Sequence, residues 1–331
     1  MDNEQFIVIT EADDGQRLDR WLKKHMPFGL VQKLVRKGAV RVDGNKVKSD
    51  VRLSEGQTVR LPPFEEKKPA TQKYRIQDHD RIEVKNMVLY DDGDIIVINK
   101  PHGLASQGGT GIKRSLDDLR PILEDRQGLR PKLIHRLDQE TSGLLVMARK
   151  PETIRALGHA FKNREIKKIY WAIVTPLPEF RAGTIRAAIG DGPVKERKVI
   201  DEENGKKAQT DYAVIDQASK VAAFVAFWPH TGRTHQIRIH AADILECPVL
   251  GDERYEGLMS LEGIEMSNRL HLHARRLVLP IPGQDKELDI TAPLSDDLVK
   301  TWKALGFDPN DQSDPFEEQA FCRIDKDSCV R

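Results

Sequence analysis

The sequence predicts an α+β protein of two domains, the larger of them built on a mixed sheet. Its 331 residues exceed the length of one typical domain. After residue 86, predicted strands outnumber helices and do not alternate with them, which argues against a doubly wound parallel sheet. A short helical unit with a hairpin comes first, and two prolines, Pro62 and Pro63, separate it from the rest.

The first predicted domain spans residues 13–62 and contains two helices followed by a hairpin. In "QRLDRWLKKHM", Leu18 and Leu22 are four residues apart, and "GLVQKLVRKG" repeats the apolar period of a helix. The pair Asp43-Gly44 lies between two short strands and indicates a hairpin. Between positions 33 and 52 there are seven basic residues against two acidic ones: Lys33, Arg36, Lys37, Arg41, Lys46, Lys48 and Arg52. Such a run is usually a solvated face, but its clustering favours a surface that binds phosphate groups.

Residues 63–85 show little periodicity and are predicted to be a linker, and residues 86–305 form the second domain. Strands are predicted for "MVLYDDGDIIVINKP", "GLLVMA", "IYWAIVT", "AQTDYAVI" and "VAAFVAFW". Helices are predicted for "PETIRALGHAFKNR" and "THQIRIHAADIL", where apolar residues recur at helical spacing. Residues 306–331 are acid-rich and aperiodic, and we expect them to form a disordered tail.

Composition and missing motifs argue against several classes of protein. The formal net charge is +1, so the total alone argues against a nucleic-acid binder and the distribution of charge matters more. Three cysteines without metal-binding spacing, no signal peptide and no apolar run of membrane-spanning length predict a soluble cytoplasmic protein. HExxH, GxxxxGK[ST] and GxGxxG patterns are absent, so we expect neither a metal nor a cofactor.

The stretch "LIHRLDQETSGLLVMARK" holds a carboxylate, Asp138, between a basic pair and an apolar strand. Asp138 either belongs to a turn with its hydrogen bonds satisfied, which is common, or points into a cleft as a nucleophile or base. A carboxylate in a partly dry place needs a cationic partner to remain ionised. The candidate partners are Arg136, Arg233 and Arg238, the last two from "TGRTHQIRIH". Spacing alone leaves this choice open.

Four motifs, in order, resemble those of the RluA-type pseudouridine synthases. "HRLDQETSGLLVMA" is similar to the central motif of that family, and "LYDDGDIIVINKPHGL" resembles the first motif. "KKIYWAIV" resembles the segment that carries the family's tyrosine, here Tyr170, and "TGRTHQIRIHAADILECPVLGDERY" resembles the third motif. The basic N-terminal unit is similar to the αL RNA-binding domain of ribosomal small-subunit type, and its "VRKGAVRVDG" favours the RluC branch. The resemblance covers residues 13–305, with Cys247 where relatives commonly have a histidine.

The resemblance implies a catalytic domain with a mainly antiparallel sheet of pseudouridine synthase type, preceded by an αL RNA-binding domain. It implies isomerisation of uridine to pseudouridine in RNA, without metal or cofactor. Asp138 would act at the ribose of an extruded uridine, and Arg238 would pair with Asp138. Tyr170 would stack on the base, and help in removing the C5 proton is its open second role. The residues expected to bind the substrate RNA are Arg136, Arg233, Lys100, Arg36, Lys37 and Arg41. For Lys100, capping a turn is the open alternative.

The resemblance also implies the partners. The expected partner is RNA, with 23S ribosomal RNA as the first candidate and tRNA as the second, and the expected enzyme is a cytoplasmic monomer that binds no membrane. A catalytically inactive assembly factor that binds ribosomal RNA is disfavoured, because Asp138, Tyr170 and Arg238 are all present. A carboxylate glycosidase acting on free nucleosides would not need the basic N-terminal unit.

Overall fold

A computed structural model of the chain describes residues 5–26, 28–62, 74–109, 111–194, 197–317 and 323–324. The chain divides into two compact units, Met1–Gln72 and Lys73–Arg331. Among the described residues, every helix is too short or too polar to cross a membrane.

The N-terminal unit contains two helices and a four-stranded sheet. Its elements are α1 (Leu18–Leu22), α2 (Phe28–Arg36), β1 (Gln5–Val8), β2 (Arg41–Val42), β3 (Asn45–Lys46) and β4 (Thr58–Leu61), with sheet order β1-β4-β2-β3. Leu18, Leu22 and Val31 of the helices pack into one apolar core with residues of the strands. Asp43 and Gly44 have φ of 48° and 79°, as a two-residue hairpin turn requires. The two helices and the hairpin predicted from the sequence are therefore present.

The C-terminal unit is built on an 11-stranded sheet. Its helices are α3 (Asp78–Met87), α4 (Leu116–Leu119), α5 (Pro151–Asn163), α6 (Gln236–Ile239), which continues as a π-helical turn over His240–Ile244, and α7 (Asp296–Ala304). Its strands are β5 (Val88–Asp91), β6 (Ile95–Lys100), β7 (Lys132–Leu133), β8 (Ser142–Ala148), β9 (Lys167–Val174), β10 (Ala182–Arg186), β11 (Ile189–Asp191), β12 (Lys198–Ile200), β13 (Gln209–Ala218), β14 (Ala222–Pro229), β15 (Leu272–Pro280), β16 (Glu287–Thr291) and β17 (Arg323–Ile324).

The strands of the large sheet follow the order β17-β10-β13-β14-β9-β15-β8-β6-β5, with β16 paired to β15 and β7 to β8. Strands β11 and β12 form a separate ribbon. Among the described strands, only β15 with β8 and β10 with β17 pair in parallel, and the other pairs are antiparallel. The predicted α+β class with a mixed, mainly antiparallel sheet is confirmed.

A glycine allows the strand after Asp138 to approach its neighbour closely. Strand β8 is buried throughout and lies between β6 and β15. Gly143 at its start pairs with Ala274 of β15, which pairs in turn with Tyr170 of β9. A Cβ atom on Gly143 would lie 2.3 Å from the carbonyl oxygen of Ala274, and the φ of 108° also favours glycine. This approach brings the loop that carries Asp138 close to the strand that carries Tyr170.

Helix α3 lies in the range that the sequence predicts to be a linker. Asp80 in its first turn is fully buried and accepts hydrogen bonds from the N–H of Gln77, the hydroxyl of Tyr74 and the guanidinium of Arg114. Val84, four residues later, belongs to the main apolar core. The linker prediction is wrong for residues 78–85, because a charged residue occupies the buried face and hides its apolar period. Residues 63–73 lie outside the described part of the chain.

Residues 306–317 are packed against the sheet rather than disordered. Phe307 and Phe316 are buried in an apolar cluster of the C-terminal unit. The side chain of Asp314 is only 3% exposed and pairs with Lys167 at 2.5 Å and with Arg276 at 2.8 Å. The tail prediction is wrong here, because basic residues from β9 and β15 neutralise the acidic segment. Strand β17 pairs with β10, and the other residues after 317 lie outside the described range.

Candidate active site

A cavity of about 490 Å³ lies where α5, β9 and α6 meet the loop before β8. Cavities of this volume hold small ligands in many proteins. Five of the predicted site residues line it, and they come from three of the motifs: Arg136, Asp138, Tyr170, Arg233 and Arg238. The fold therefore assembles in one place residues that the sequence keeps apart.

The loop that carries Asp138 is held by the segment that follows β6. The hydroxyl of Ser106 donates to the carbonyl of Leu137 at 2.6 Å and accepts from the N–H of Leu137 at 3.1 Å. After Asp138, the N–H of Gly103 donates to the carbonyl of Gln139 at 2.9 Å, and the side-chain amide of Gln139 donates to the carbonyl of Gly103 at 2.9 Å. The backbone is thus anchored on both sides of Asp138, as precise presentation of a reactive group requires.

Lys100 belongs to this support and not to the accessible surface. Its side chain is fully buried, and its ammonium donates to the carbonyls of Pro101, Leu104 and Gln139 at 3.0, 2.8 and 3.3 Å. Burial lowers the pKa of Lys100 to about 7, against the opposing effect of the charge on Asp138. The prediction that Lys100 contacts RNA is wrong, because its charged end is enclosed by these carbonyls. The alternative role, capping a turn, matches the structure.

Asp138 presents to the cavity a carboxylate that accepts no hydrogen bond from the described residues. Its side chain is 23% exposed. The N–H of Thr141 donates to the backbone carbonyl of Asp138 at 3.2 Å and closes a turn. Within the described residues, the only basic side-chain nitrogen within 4.0 Å of the carboxylate is Nε2 of His235, which lies at 4.0 Å. A structural turn therefore accounts for the backbone of Asp138 but leaves its carboxylate free to react.

Tyr170 presents a neutral aromatic ring to the same cavity. It lies in β9, between Phe227 of β14 and Ala274 of β15. The side chain is half-buried and packs against two apolar clusters. Burial, with a smaller contribution from the charge of Asp138, raises the pKa of Tyr170 above its ordinary value. The phenol is therefore protonated at neutral pH.

Arg238 forms its ion pairs with residues other than Asp138. It is only 2% exposed, and its guanidinium donates two hydrogen bonds to the buried Asp252, at 2.6 and 2.7 Å. A third hydrogen bond goes to Glu140. The predicted pair with Asp138 is not formed in the described structure, because two other carboxylates already occupy the guanidinium. Its charge is balanced by Asp252, which follows α6 in the chain.

Five basic side chains that line the cavity form no ion pair within the described residues: Arg136, Lys162, Arg164, Lys168 and Arg233. Among the described residues that line it, Asp138 is the only acidic one. Burial lowers the pKa of Lys168 to about 8. Of these five, only Arg136 and Arg233 are predicted from the sequence, because the apolar positions of α5 and β9 are the signal in the segments that carry Lys162, Arg164 and Lys168. Unpaired cations around the cavity suit a polyanionic ligand.

Sequence analysis also misses His235 and Tyr255. His235 directly precedes α6 and is mostly buried, and its Nδ1 lies 3.0 Å from the hydroxyl of Tyr255. His235 and His240 are five residues apart, a poor spacing for two metal ligands on one helical face. His240 instead contacts the hydroxyl of Thr210 at 2.9 Å and the carbonyl of Ala187 at 3.2 Å. In the part of the chain that the structure describes, no group of three His, Cys, Asp or Glu residues is placed to hold a metal ion.

The predicted RNA-binding residues of the N-terminal unit lie on its surface. Arg36 and Lys37 are exposed at the end of α2, and Arg41 is half-exposed at the start of β2. The guanidinium of Arg41 donates to the carbonyl of Gly44 at 2.8 Å. None of the three forms an ion pair with another described residue, so their charges are available to a ligand. Their contact with RNA remains a prediction.

The cavity brings one carboxylate together with several basic side chains, an arrangement that suits an enzyme acting on an anionic substrate. Residues 94–243 match the family model described as RNA pseudouridylate synthase, and the chain belongs to this family. The resemblance inferred from the four motifs is thereby confirmed. The protein is an isomerase that converts uridine in RNA to pseudouridine.

Similar proteins of known name extend over most of the chain. Ribosomal large subunit pseudouridine synthase C of Vibrio vulnificus (strain CMCP6) is 32% identical over 311 residues, which cover 91% of this chain and 96% of that protein. The protein of the same name from Rickettsia typhi (strain ATCC VR-144 / Wilmington) is 35% identical over 300 residues, 87% of this chain and 97% of that one. The solved structure of human RNA pseudouridylate synthase domain containing 4 is 29% identical, with a TM-score of 0.59 over 69% of this chain and 97% of that chain.

Proposed function

We propose that the protein converts one or more uridines of 23S ribosomal RNA to pseudouridine. The observation that carries the chemistry is the carboxylate of Asp138, which accepts no hydrogen bond from the described residues and faces a cavity with five cations that form no ion pair among them. The choice of RNA is supported by relatives named ribosomal large subunit pseudouridine synthase C, which this chain matches over 96% and 97% of their lengths. Transfer RNA is the second candidate substrate.

Asp138 acts on the ribose of a uridine that has left its stack. Extrusion of a base costs a few kcal/mol, which contacts within the cavity must offset. The carboxylate then either attacks C1′ or removes the C2′ proton, and both steps require an ionised oxygen with a lone pair directed at the ribose. The free carboxylate of Asp138 meets this requirement, and the anchored backbone beside it limits its movement.

Tyr170 stacks on the extruded base. The reaction breaks the bond between C1′ and N1, forms a bond between C1′ and C5, releases the C5 proton and leaves a proton on N1. Because substrate and product are isomers, no co-substrate is consumed. Burial beside Asp138 keeps the phenol of Tyr170 protonated, which favours a stacking role over acceptance of the C5 proton.

The cations that line the cavity bind the phosphates on either side of the target nucleotide. Arg136 is exposed beside Asp138, and Arg233 lies in the loop before α6. Lys162 and Arg164 are exposed at the C-terminal end of α5. Contacts with phosphate oxygens position a nucleic acid without reading its sequence. These residues would therefore contribute to affinity more than to the choice of uridine.

The N-terminal unit binds RNA as an αL domain, through Arg36, Lys37 and Arg41. This proposal is supported by the exposure of these three basic side chains, which have no acidic partner among the described residues. We infer a cytoplasmic location, since ribosomal RNA is found there in bacteria. We also infer a monomer, since residues of a single chain line the whole of the described cavity.

The test is to map pseudouridine in RNA from cells with and without the gene. We expect specific 23S sites to revert to uridine in the deletion, and the purified protein to restore them on unmodified 23S transcript. The Asp138→Asn variant is the matched control in the same reaction. Loss of modification in tRNA alone would overturn the choice of RNA, and activity on free uridine would indicate a nucleoside enzyme.

A further inference from the structure

His235 lies next to Asp138, although the motif arginine was expected there. Its Nε2 is 4.0 Å from Oδ2 of Asp138. The guanidinium of Arg238 is occupied by Asp252 and Glu140. Of the described basic side chains, His235 is therefore the one in position to orient the carboxylate.

The backbone places His235 in this position at an energetic cost. Its φ of 58° and ψ of 18° lie in the left-handed region, immediately before α6 begins at Gln236. A residue other than glycine held in this region costs on the order of 1–3 kcal/mol, and such residues cluster at functional sites. The side chain is only 9% exposed, so its ring is fixed by packing.

The hydrogen bonds of Tyr255 determine which ring nitrogen of His235 carries the proton. The hydroxyl oxygen of Tyr255 accepts from the backbone N–H of Lys198 at 3.1 Å, so its own hydrogen is free to be donated elsewhere. Nδ1 of His235 lies 3.0 Å from that oxygen, so it is placed to accept this hydrogen. In the neutral ring the proton then resides on Nε2, the nitrogen that faces Asp138.

The imidazole of His235 is neutral at pH 7. Burial lowers its pKa below the ordinary value, and the positive charges of Arg238 and Arg254 act in the same direction, against Asp138. A neutral donor orients a carboxylate without transferring a proton to it. Asp138 would therefore keep the negative charge that its reaction requires.

We propose that His235 is a positioning residue, which donates a hydrogen bond from Nε2 to Asp138 once a uridine fills the cavity, with Tyr255 holding its tautomer. The proposal rests on the proposed role of Asp138. The 4.0 Å separation is too long for a hydrogen bond, and a movement of about 1 Å would close it. Catalytic hydrogen bonds are often long before the substrate is bound.

Two substitutions of one side chain test this proposal. In His235→Gln the amide nitrogen extends to about the place of Nε2, whereas in His235→Asn it reaches only the place of Nδ1. With 23S transcript as substrate, we expect the asparagine variant to lose roughly 10- to 100-fold in kcat at unchanged KM, the scale of a misplaced reactive group. The glutamine variant keeps most of kcat. Equal kcat values for the two variants, with equal free energies of unfolding, would overturn the proposal.

A measurement without substrate tests the tautomer. Long-range ¹⁵N–¹H NMR of the full chain labelled with ¹⁵N-histidine should show His235 protonated at Nε2, with the signal assigned from its absence in His235→Gln. In Tyr255→Phe this preference should weaken. A proton on Nδ1 in the unsubstituted protein would contradict the proposal.

The controls separate this proposal from the proposed function. The exposed His159 on α5 is the matched control, and His159→Asn should leave kcat unchanged. If Asp138→Asn retains turnover, the proposed role of Asp138 fails. If Asp138→Asn is inactive while both His235 variants are fully active, only the role of His235 fails.

Discussion

Arg238 donates two hydrogen bonds to Asp252, at 2.6 and 2.7 Å, where both side chains are shielded from water. Asp252 also accepts from the backbone N–H groups of Arg254 and Tyr255. Breaking a buried ion pair by removing one partner typically costs 3–5 kcal/mol, because the other charge remains buried. The pair therefore links α6 to the chain that follows it, and the loss of either partner alone should destabilise the fold.

Arg238→Met should consequently reduce stability as well as activity. We expect the free energy of unfolding to fall by about 3 kcal/mol, measured by urea denaturation. The double variant Arg238→Met/Asp252→Asn removes the uncompensated charge and should recover part of this loss. If the single variant were as stable as the unsubstituted protein, the guanidinium would not be stabilising Asp252.

Asp138→Asn should abolish isomerisation while RNA affinity stays nearly unchanged. The amide has the shape of the carboxylate but is neither an anionic nucleophile nor a base. Because the carboxylate accepts no hydrogen bond from the described residues, stability should change by less than about 1 kcal/mol. Single-turnover assays and filter binding with 23S transcript measure the two properties. Turnover above background in the pure variant would refute the assignment.

Neutralising the basic face of the N-terminal unit should weaken RNA binding in a salt-dependent way. For Arg36→Gln/Lys37→Gln/Arg41→Gln we expect the slope of log affinity against log salt to flatten by roughly 2 to 3, since each phosphate contact contributes about 0.7–0.9. The chemical step at saturating RNA should change much less, because Asp138 and Tyr170 lie in the other unit.

The control for this experiment removes the same number of charges elsewhere. Lys220, Lys286 and Lys300 are exposed in the C-terminal unit and do not line the cavity. The corresponding triple glutamine variant should leave the slope close to that of the unsubstituted protein. Equal slopes for both triple variants would mean that the basic face is only a solvated surface.

Phe316→Ala should destabilise the C-terminal unit. Phe316 is 7% exposed and packs edge-on against Trp228 at 5.7 Å between ring centroids. Removing a buried phenylalanine ring costs about 3–5 kcal/mol, and this peripheral position should give the lower end. Phe180→Ala, at a side chain that is 49% exposed, is the control and should cost much less. Urea denaturation that ranks the two variants equally would contradict the packing of this segment.

Acid should destabilise the protein through the half-buried His135 and three buried histidines, His240, His271 and His273. Burial lowers the pKa of His135 and His273 to about 3 and of His240 and His271 to about 4. In the unfolded chain these groups titrate near the ordinary 6.5, so below that pH the unfolded state takes up protons that the folded state does not. Each histidine should therefore remove up to about 1.4 kcal/mol per pH unit as the pH falls from 6.5 towards 4.

This pH dependence is measured as the free energy of unfolding in urea between pH 7.5 and about 5. His240→Gln should reduce the slope of the free energy of unfolding against pH by the contribution of one histidine. The exposed His159→Gln should leave the slope unchanged. A free energy that stays constant down to pH 5 would show that these imidazoles are not held neutral in the folded state.

Local patterns predicted the elements that depend on near neighbours. Apolar spacing identified α1, α2 and α5, and the pair Asp43-Gly44 identified the hairpin, since helix and turn geometry are determined within a few residues. The lack of a regular alternation between strands and helices predicted the mixed sheet. The residue types around Asp138 left open whether its carboxylate is reactive, and only the resemblance of the motif to a known family implied that role.

The apolar periodicity of the sequence did not predict the segments in which charged residues are buried. Asp80 occupies the core-facing position of α3, and Asp314 holds the segment after α7 between Lys167 and Arg276. In both segments the sequence shows a carboxylate where a buried face needs an apolar residue. Only the tertiary partners neutralise these charges. From the sequence alone, the two segments are therefore predicted to be a linker and a disordered tail.

The partners of the reactive groups were likewise decided by the tertiary structure. Sequence analysis named Asp138, Tyr170 and Arg238, and all three line one cavity. It paired Arg238 with Asp138, whereas the fold pairs Arg238 with Asp252 and places His235 beside Asp138. The physical reason is that an ion pair or hydrogen bond depends on separations of a few ångströms. The packing of strands and loops distant in the chain determines those separations, and residue spacing does not.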